Sequence, residues 1–216
     1  MQTTPKTIQL FKSPFLEKLT RIHPAGPILF WGPTVLTILA ICWIKFELSL
    51  LTWVSLALLG FFIWTGFEYF LHRVLFHYPA KSELGKRWIY IFHGVHHEDP
   101  YDKYRSVMPI VPGVIYSIPI YLIFMVMVGT QRAPILFSFF IIGYLFYDYI
   151  HYGTHHFVPK TAIGKYLRKY HRTHHVHAGV RFGVTGPLWD IMFGTYKLPV
   201  KGVSHKKVNE KKKTVA

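Results

Sequence analysis

Long apolar stretches alternate along the chain with shorter polar segments that are rich in basic residues and histidine. Four of the apolar stretches, residues 27–44, 48–71, 107–128 and 133–150, are close to the length needed to cross a bilayer. A helix rising ~1.5 Å per residue needs about 20 residues to span a hydrocarbon core about 30 Å thick. The links 45–47 and 129–132 are very short, so the spans pair as two tight helical hairpins opening toward the same side.

The span 107–128 is the least regular, because Pro109, Pro112 and Pro119 interrupt it. It is read as a span, with a bent or re-entrant helix as the alternative there. Ahead of the first span, the run IQLFKSPFLEKLTRI reads as an interfacial amphipathic helix interrupted at Pro14, with no signal peptide. The lysine-rich end, KKVNEKKKTVA, reads as a disordered, membrane-attracted tail. The expected organisation is an interfacial segment 1–26, one membrane domain 27–200 and a basic tail 201–216.

Composition supports a lipid environment: of 216 residues, 51% are hydrophobic and 18% aromatic. The single cysteine, Cys42, lies in an apolar run, which excludes a disulfide framework and a cysteine-based zinc site. The formal charge of +15 is divided among segments flanking apolar stretches, so it does not point to nucleic acid. Four Lys or Arg precede residue 27, 6 lie in 72–106 and 13 follow residue 150, against only Lys45 and Arg132 on the opposite face. The positive-inside rule therefore puts the hairpin openings in the cytoplasm.

Histidines gather on that side in four groups: HRVLFH (His72, His77), HGVHH (His93, His96, His97), HYGTHH (His151, His155, His156) and HRTHH (His171, His174, His175). Helical residues three and four apart share a face, so each H-x-x-H-H group can aim at least two imidazoles at one point, as can His151 with His155. His72 and His77 are five apart and about 140° out of phase on a regular helix, which places one of them beyond the helix end or in a distorted turn. These groups hold 11 of the 14 histidines, too many for one ion and suited to two ions with about five each. Imidazole accepts zinc, iron, copper or nickel, so the ligand type does not name the metal.

Glu68 precedes His72 by four positions and Asp148 precedes His151 by three, which sets each carboxylate beside a ligand on a continuing helix. A carboxylate there can take the second imidazole N–H or reach out to the interface. His177 reads as a loop residue, His205 belongs to the tail, and His23 in HPAG lacks a companion for haem ligation.

These motifs, with EYFLHRVLFH, HGVHHEDPYDKYRSVMP, YDYIHYGTHH and FGVTGPLWDIMFGT, resemble the fatty acid 2-hydroxylase branch of the membrane fatty acid hydroxylase and sterol desaturase superfamily over residues 60–197. The resemblance implies an all-α integral membrane fold whose two hairpins carry a cytosolic helical cap with a dinuclear metal site. It implies His72, His77, His93, His96, His97, His151, His155, His171, His174 and His175 as metal ligands, with His156 as a neighbour one layer out. It further implies two irons, with zinc as an inactive occupant, and O2 as co-substrate in hydroxylating carbon 2 of a long acyl chain. Many members look like fusions to a cytochrome b5 domain, which this sequence lacks, so the resemblance implies an external cytochrome b5, ferredoxin or reductase as electron donor. The basic face suits an acidic partner. Tyr69, Phe70, Phe146, Tyr147 and Tyr152 are candidate walls for the acyl cavity or members of an aromatic belt.

Sterol desaturases or oxidases and carotenoid hydroxylases are the near alternatives. A metal transporter is the distant one, and it would carry polar ligands at mid-bilayer, where these spans have almost none. The topology fits an endoplasmic reticulum membrane or a bacterial inner membrane.

Overall fold

In the computed structural model, residues 8–197 are described and every regular element among them is helical. A short helix, α1 (Pro14–Leu19), precedes the first long one. Pro14 opens α1 instead of interrupting a longer helix: it lacks an N–H to leave unpaired, and Ser13 caps the turn through its hydroxyl. The residues before it are tied down by Glu17, which accepts the N–H groups of Leu10 and Phe11. The basic tail 201–216, with His205, lies outside the described residues.

The first hairpin is α2 (Gly26–Lys45) and α3 (Leu50–Phe70). Ser49 accepts the N–H of Thr52 and starts α3. The second is α6 (Ile110–Val128) and α7 (Ala133–His156), divided by Gly129 in a left-handed conformation (φ 80°) that ends α6. All four are long and apolar enough to cross a membrane, so the chain is a multi-pass membrane protein. The third span is a complete helix, not a re-entrant one: Pro109 sets its start, and Pro119 is tolerated within it.

α7 is the axis of the bundle, packed against α2, α3 and α6. Its closest neighbour is α3, and two glycines permit the approach. A Cβ on Gly60 would lie 2.5 Å from the Leu136 carbonyl oxygen, and one on Gly143 would lie 2.7 Å from the Trp64 side chain. Hydrocarbon lipid gives apolar helices no reason to prefer each other, so close packing of this kind is what holds membrane helices together.

Beyond α3 the chain continues through a wide π-helical turn, Leu71–Phe76, whose i→i+5 bond runs from His77 N–H to the His72 carbonyl at 3.2 Å. α4 (Glu83–Ile89) leads into a second wide turn, Tyr90–Gly94, and then α5 (Val95–Glu98). After α7, α8 (Ala162–Val176) and α9 (Leu188–Met192) complete a helical cap over the open end of both hairpins.

Candidate metal centre

The wide turn at Leu71–Phe76 resolves the phase problem of HRVLFH: it adds a residue to the turn and brings His72 and His77 to one side. Two groups of imidazoles then form, each with its ring nitrogens within 4.8 Å of one another. His72, His77, His93, His97 and His174 make the first pocket; His96, His151, His155, His171 and His175 make the second.

Helical periodicity explains the partition. In HGVHH the i,i+4 pair His93 and His97 enters the first pocket while His96, one position round the helix, enters the second. HRTHH does the reverse, sending His171 and His175 to the second pocket and His174 to the first. Two cap segments therefore each serve both pockets, which adjoin: the His97 and His175 rings are 4.3 Å apart.

Nitrogen spacing fits a bound ion. Ligands at right angles around an ion with ~2.0–2.1 Å metal–nitrogen bonds stand about 2.9 Å apart. The Nε2 atoms of His93 are 2.9 Å from those of His72 and His97, His77 is 3.0 Å from His174, and His171 is 2.8 and 3.0 Å from His155 and His175. Both ring nitrogens of His96 and Nε2 of His151 are buried without any hydrogen-bond partner. Such groups are costly unless something occupies the space they face. The donor set, neutral imidazole throughout, suits zinc, iron, copper or nickel.

Electrostatics keeps those nitrogens free. Burial pushes His97 down to about 2, His174 to about 3, and His77 and His175 to about 4, and it holds His93, His96 and His171 well below the usual imidazole range. For His97 and His93 the neighbouring imidazoles add to the effect. At neutral pH these rings are unprotonated and offer a lone pair.

The expected direct contact between carboxylate and ligand does not form. His72 Nδ1–H donates to the Phe182 carbonyl at 2.5 Å, and His151 Nδ1–H donates to the Ser106 carbonyl at 3.1 Å. Glu68 instead accepts the N–H groups of Val184 (2.5 Å) and Thr185 (3.0 Å) and the Thr185 hydroxyl (2.8 Å). Asp148 accepts Met108 N–H at 3.2 Å and the Tyr144 hydroxyl at 3.3 Å. Each carboxylate is buried, so neither reaches the interface. Both hold a loop that in turn supplies a carbonyl to a histidine.

His156 lies outside both pockets and is hydrogen-bonded to Ser106 Oγ at 2.9 Å, one residue removed from His151. His23 and His177 are exposed and belong to neither pocket. Of the aromatic candidates, Tyr147 lines a cavity beside the histidines. Tyr69 is stacked on Phe193, Tyr152 packs on His156, and Phe70 and Phe146 face outward.

Phe182, Val180 and Asp190 were not legible as site residues, because two of them act through backbone carbonyls that any side chain can carry. The family model for fatty acid hydroxylases matches residues 57–195, which contain both pockets. The chain belongs to the fatty acid hydroxylase family. It is 39% identical over 189 residues to a dihydroceramide fatty acyl 2-hydroxylase of Arabidopsis thaliana, covering 87% of this chain and 79% of that protein. It is 35% identical to the ceramide very long chain fatty acid hydroxylase of Saccharomyces cerevisiae, covering 86% of this chain and 48% of the yeast protein. A solved structure of full-length scs7p, with only its hydroxylase domain visible, superposes with a TM-score of 0.80 at 34% identity, covering 86% of this chain and 71% of that one. The chain is thus a membrane hydroxylase in fold and family.

Proposed function

We propose that the two pockets hold two iron ions and that the hydroxylase acts on carbon 2 of a long acyl chain, free or amide-linked as in a ceramide. The observation that carries this reading is the pair of five-imidazole pockets sharing two cap segments. Two irons bound there would supply redox chemistry in which O2, two electrons and two protons convert a C–H bond to C–OH with release of water. Zinc fits the same ligands but cannot change oxidation state.

The protein's own residues prepare the reaction. Burial keeps the imidazoles neutral, and the carbonyls of Phe182, Val180 and Ser106 fix which nitrogen of His72, His174 and His151 carries the proton. A cavity of about 130 Å³ adjoins His93, His96 and His151 and is walled by Phe76, Met108, Pro112, Tyr116 and Tyr147. Met108 and Tyr116 also border a smaller apolar space among Trp31, Trp64 and Phe140 inside the bundle. An acyl tail lying that way leaves its carbonyl end at the histidines, which favours attack near carbon 2 over attack near the methyl end.

The lysine and arginine distribution orients the open end toward the cytoplasm, in an endoplasmic reticulum or bacterial inner membrane. Electrons come from an external cytochrome b5, ferredoxin or reductase, steered by the basic face. Mass spectrometry of hydrolysed lipids from cells expressing the chain tests the reading. The expected result is an oxygen-dependent rise in 2-hydroxy fatty acids, absent with His97→Ala at matched expression. Altered sterols or other isoprenoids with unchanged acyl chains would overturn it.

A further inference from the structure

The first pocket is distinguished from the second by the loop beside it. Val180 and Phe182 each turn a carbonyl toward a first-pocket ligand, accepting Nδ1–H of His174 at 2.8 Å and of His72 at 2.5 Å. Four consecutive N–H groups of the same loop are taken by two buried carboxylates. Phe182 and Gly183 donate to Asp190 at 2.9 and 2.8 Å, and Val184 and Thr185 donate to Glu68. Neither carboxylate has an ion-pair partner among the described residues.

The connection from Asp190 to His72 passes through one peptide group. Gly183 N–H points at the carboxylate while the carbonyl of that same peptide, belonging to Phe182, points at the imidazole. A peptide whose N–H is bound by a carboxylate has a more negative carbonyl oxygen, since bonds in a chain polarise one another. A stronger acceptor at Nδ1–H makes Nε2 a better donor to a metal, as carboxylates do when they contact a ligating histidine directly.

The loop is built for this arrangement. Arg181, between the two carbonyls, has a φ of 59°, a conformation uncommon outside glycine that persists only where surroundings enforce it. Its N–H donates to the Thr195 carbonyl and its guanidinium lies over Tyr170, 5.0 Å from the ring centre. Gly183 leaves no room for a side chain, since a Cβ would lie 2.3 Å from the Gly186 carbonyl oxygen and 3.1 Å from Asp190 Oδ2. The second pocket has no counterpart of Asp190: Asp148 bonds Met108 N–H, two residues from the Ser106 carbonyl that serves His151, the same offset at which Glu68 bonds Val184 N–H beyond the Phe182 carbonyl, and Nδ1 of His96, His171 and His175 has no partner.

From this difference we infer that Asp190, through the peptide that serves His72, and Glu68, one peptide further along, are positioning residues for the ion in the His72, His77, His93, His97 and His174 pocket, acting through the backbone of residues 180–185, and that this pocket holds its ion the more tightly. The inference rests on the two-metal reading above.

The test is cobalt(II) binding to the full chain in detergent, followed by chelator competition and by the cobalt absorption bands. His174→Ala and His155→Ala assign the bands to the first and second pockets. Wild type is expected to bind two ions, with the first-pocket ion released last. In Asp190→Asn the carboxamide faces one N–H with its own N–H, and the dissociation constant of the first-pocket ion is expected to rise about 10–100-fold, the range for outer partners of a ligand. Its band should shift while the second ion changes by less than about twofold. Glu68→Gln keeps an acceptor for both N–H groups, removes the charge and reverses the bond with the Thr185 hydroxyl, so the same ion should weaken by less than about tenfold with a smaller band shift. Equal weakening of both ions, or two unchanged ions in folded Asp190→Asn, would overturn the inference. If Asp190→Asn does not fold, an unmoved first-pocket band in Glu68→Gln overturns it instead. Wild type binding a single ion would bring down the two-metal reading itself.

Discussion

The two halves of α7 are held in place by different means. From Ala133 to Tyr144 the helix packs apolar side chains and one close glycine against α3, and nearly every buried group is satisfied by shape alone. From Tyr147 to His156 the same helix buries Asp148, His151 and His155, and each needs a specific partner: a backbone N–H, a carbonyl or another ring nitrogen. The first half is set by side-chain volume and by the close approach at Gly143. The second is a layer of polar groups whose burial cost is offset only when each has a partner.

The largest effect should come from removing a ligand that shares a pocket with His151 and His155 of the second region. His96→Ala is expected to lower 2-hydroxy product more than ~100-fold, because even partners of a ligand cost 10–100-fold, while the thermal transition of the metal-free protein stays within a few degrees. A loss of folded protein equal to the loss of product would erase the distinction between the two halves. In the first region the order reverses: Gly60→Leu forces a side chain against the backbone of α7 and should destabilise the bundle by about 3 kcal/mol or more, read as lost folded yield in detergent.

Chelation should act on one half of the molecule and spare the other. An ion present at 1,000 times its dissociation constant stabilises the fold by about 4 kcal/mol, so stripping metal should lower the melting temperature and loosen the cap. Hydrogen exchange should rise in 90–98 and 162–185 and remain unchanged in 133–145.

Acidity gives a smaller, graded effect. Buried imidazoles such as His97, at about 2, and His77, at about 4, stay neutral where unfolded histidines near 6.5 take up protons. Their contribution to the stability of the metal-free protein is complete above about 6.5 and is lost as pH falls from there toward 4 and 2. A melting temperature that rises on acidification from pH 7 to pH 5 would contradict the burial. The smallest effect belongs to His177, exposed and outside both pockets, where replacement by alanine should leave product within about twofold.

Sequence and structure agree where the physics is periodic. The four spans follow from apolar length, and the histidine groups follow from i,i+4 spacing, although α7 runs six residues past 150 because HYGTHH continues the same helix. His72 and His77 signalled a distorted turn by their phase, and a π-helical turn supplies it. Glu68 and Asp148 were legible as neighbours of the ligands on the same helix, but neither their burial nor their partners were, since sequence spacing does not show which loop folds back to compete for a carboxylate. The loop 180–185 and Asp190 were hidden for the same reason: their contribution is made by backbone carbonyls and N–H groups, which leave no residue-type signature.

Whether ten histidines form one dinuclear centre is decided by adding iron stepwise to metal-free protein with substrate, oxygen and a competent electron donor, and measuring 2-hydroxy product at each step. The account predicts almost no product below one iron per chain and full product near two. Full product at one iron per chain would contradict it.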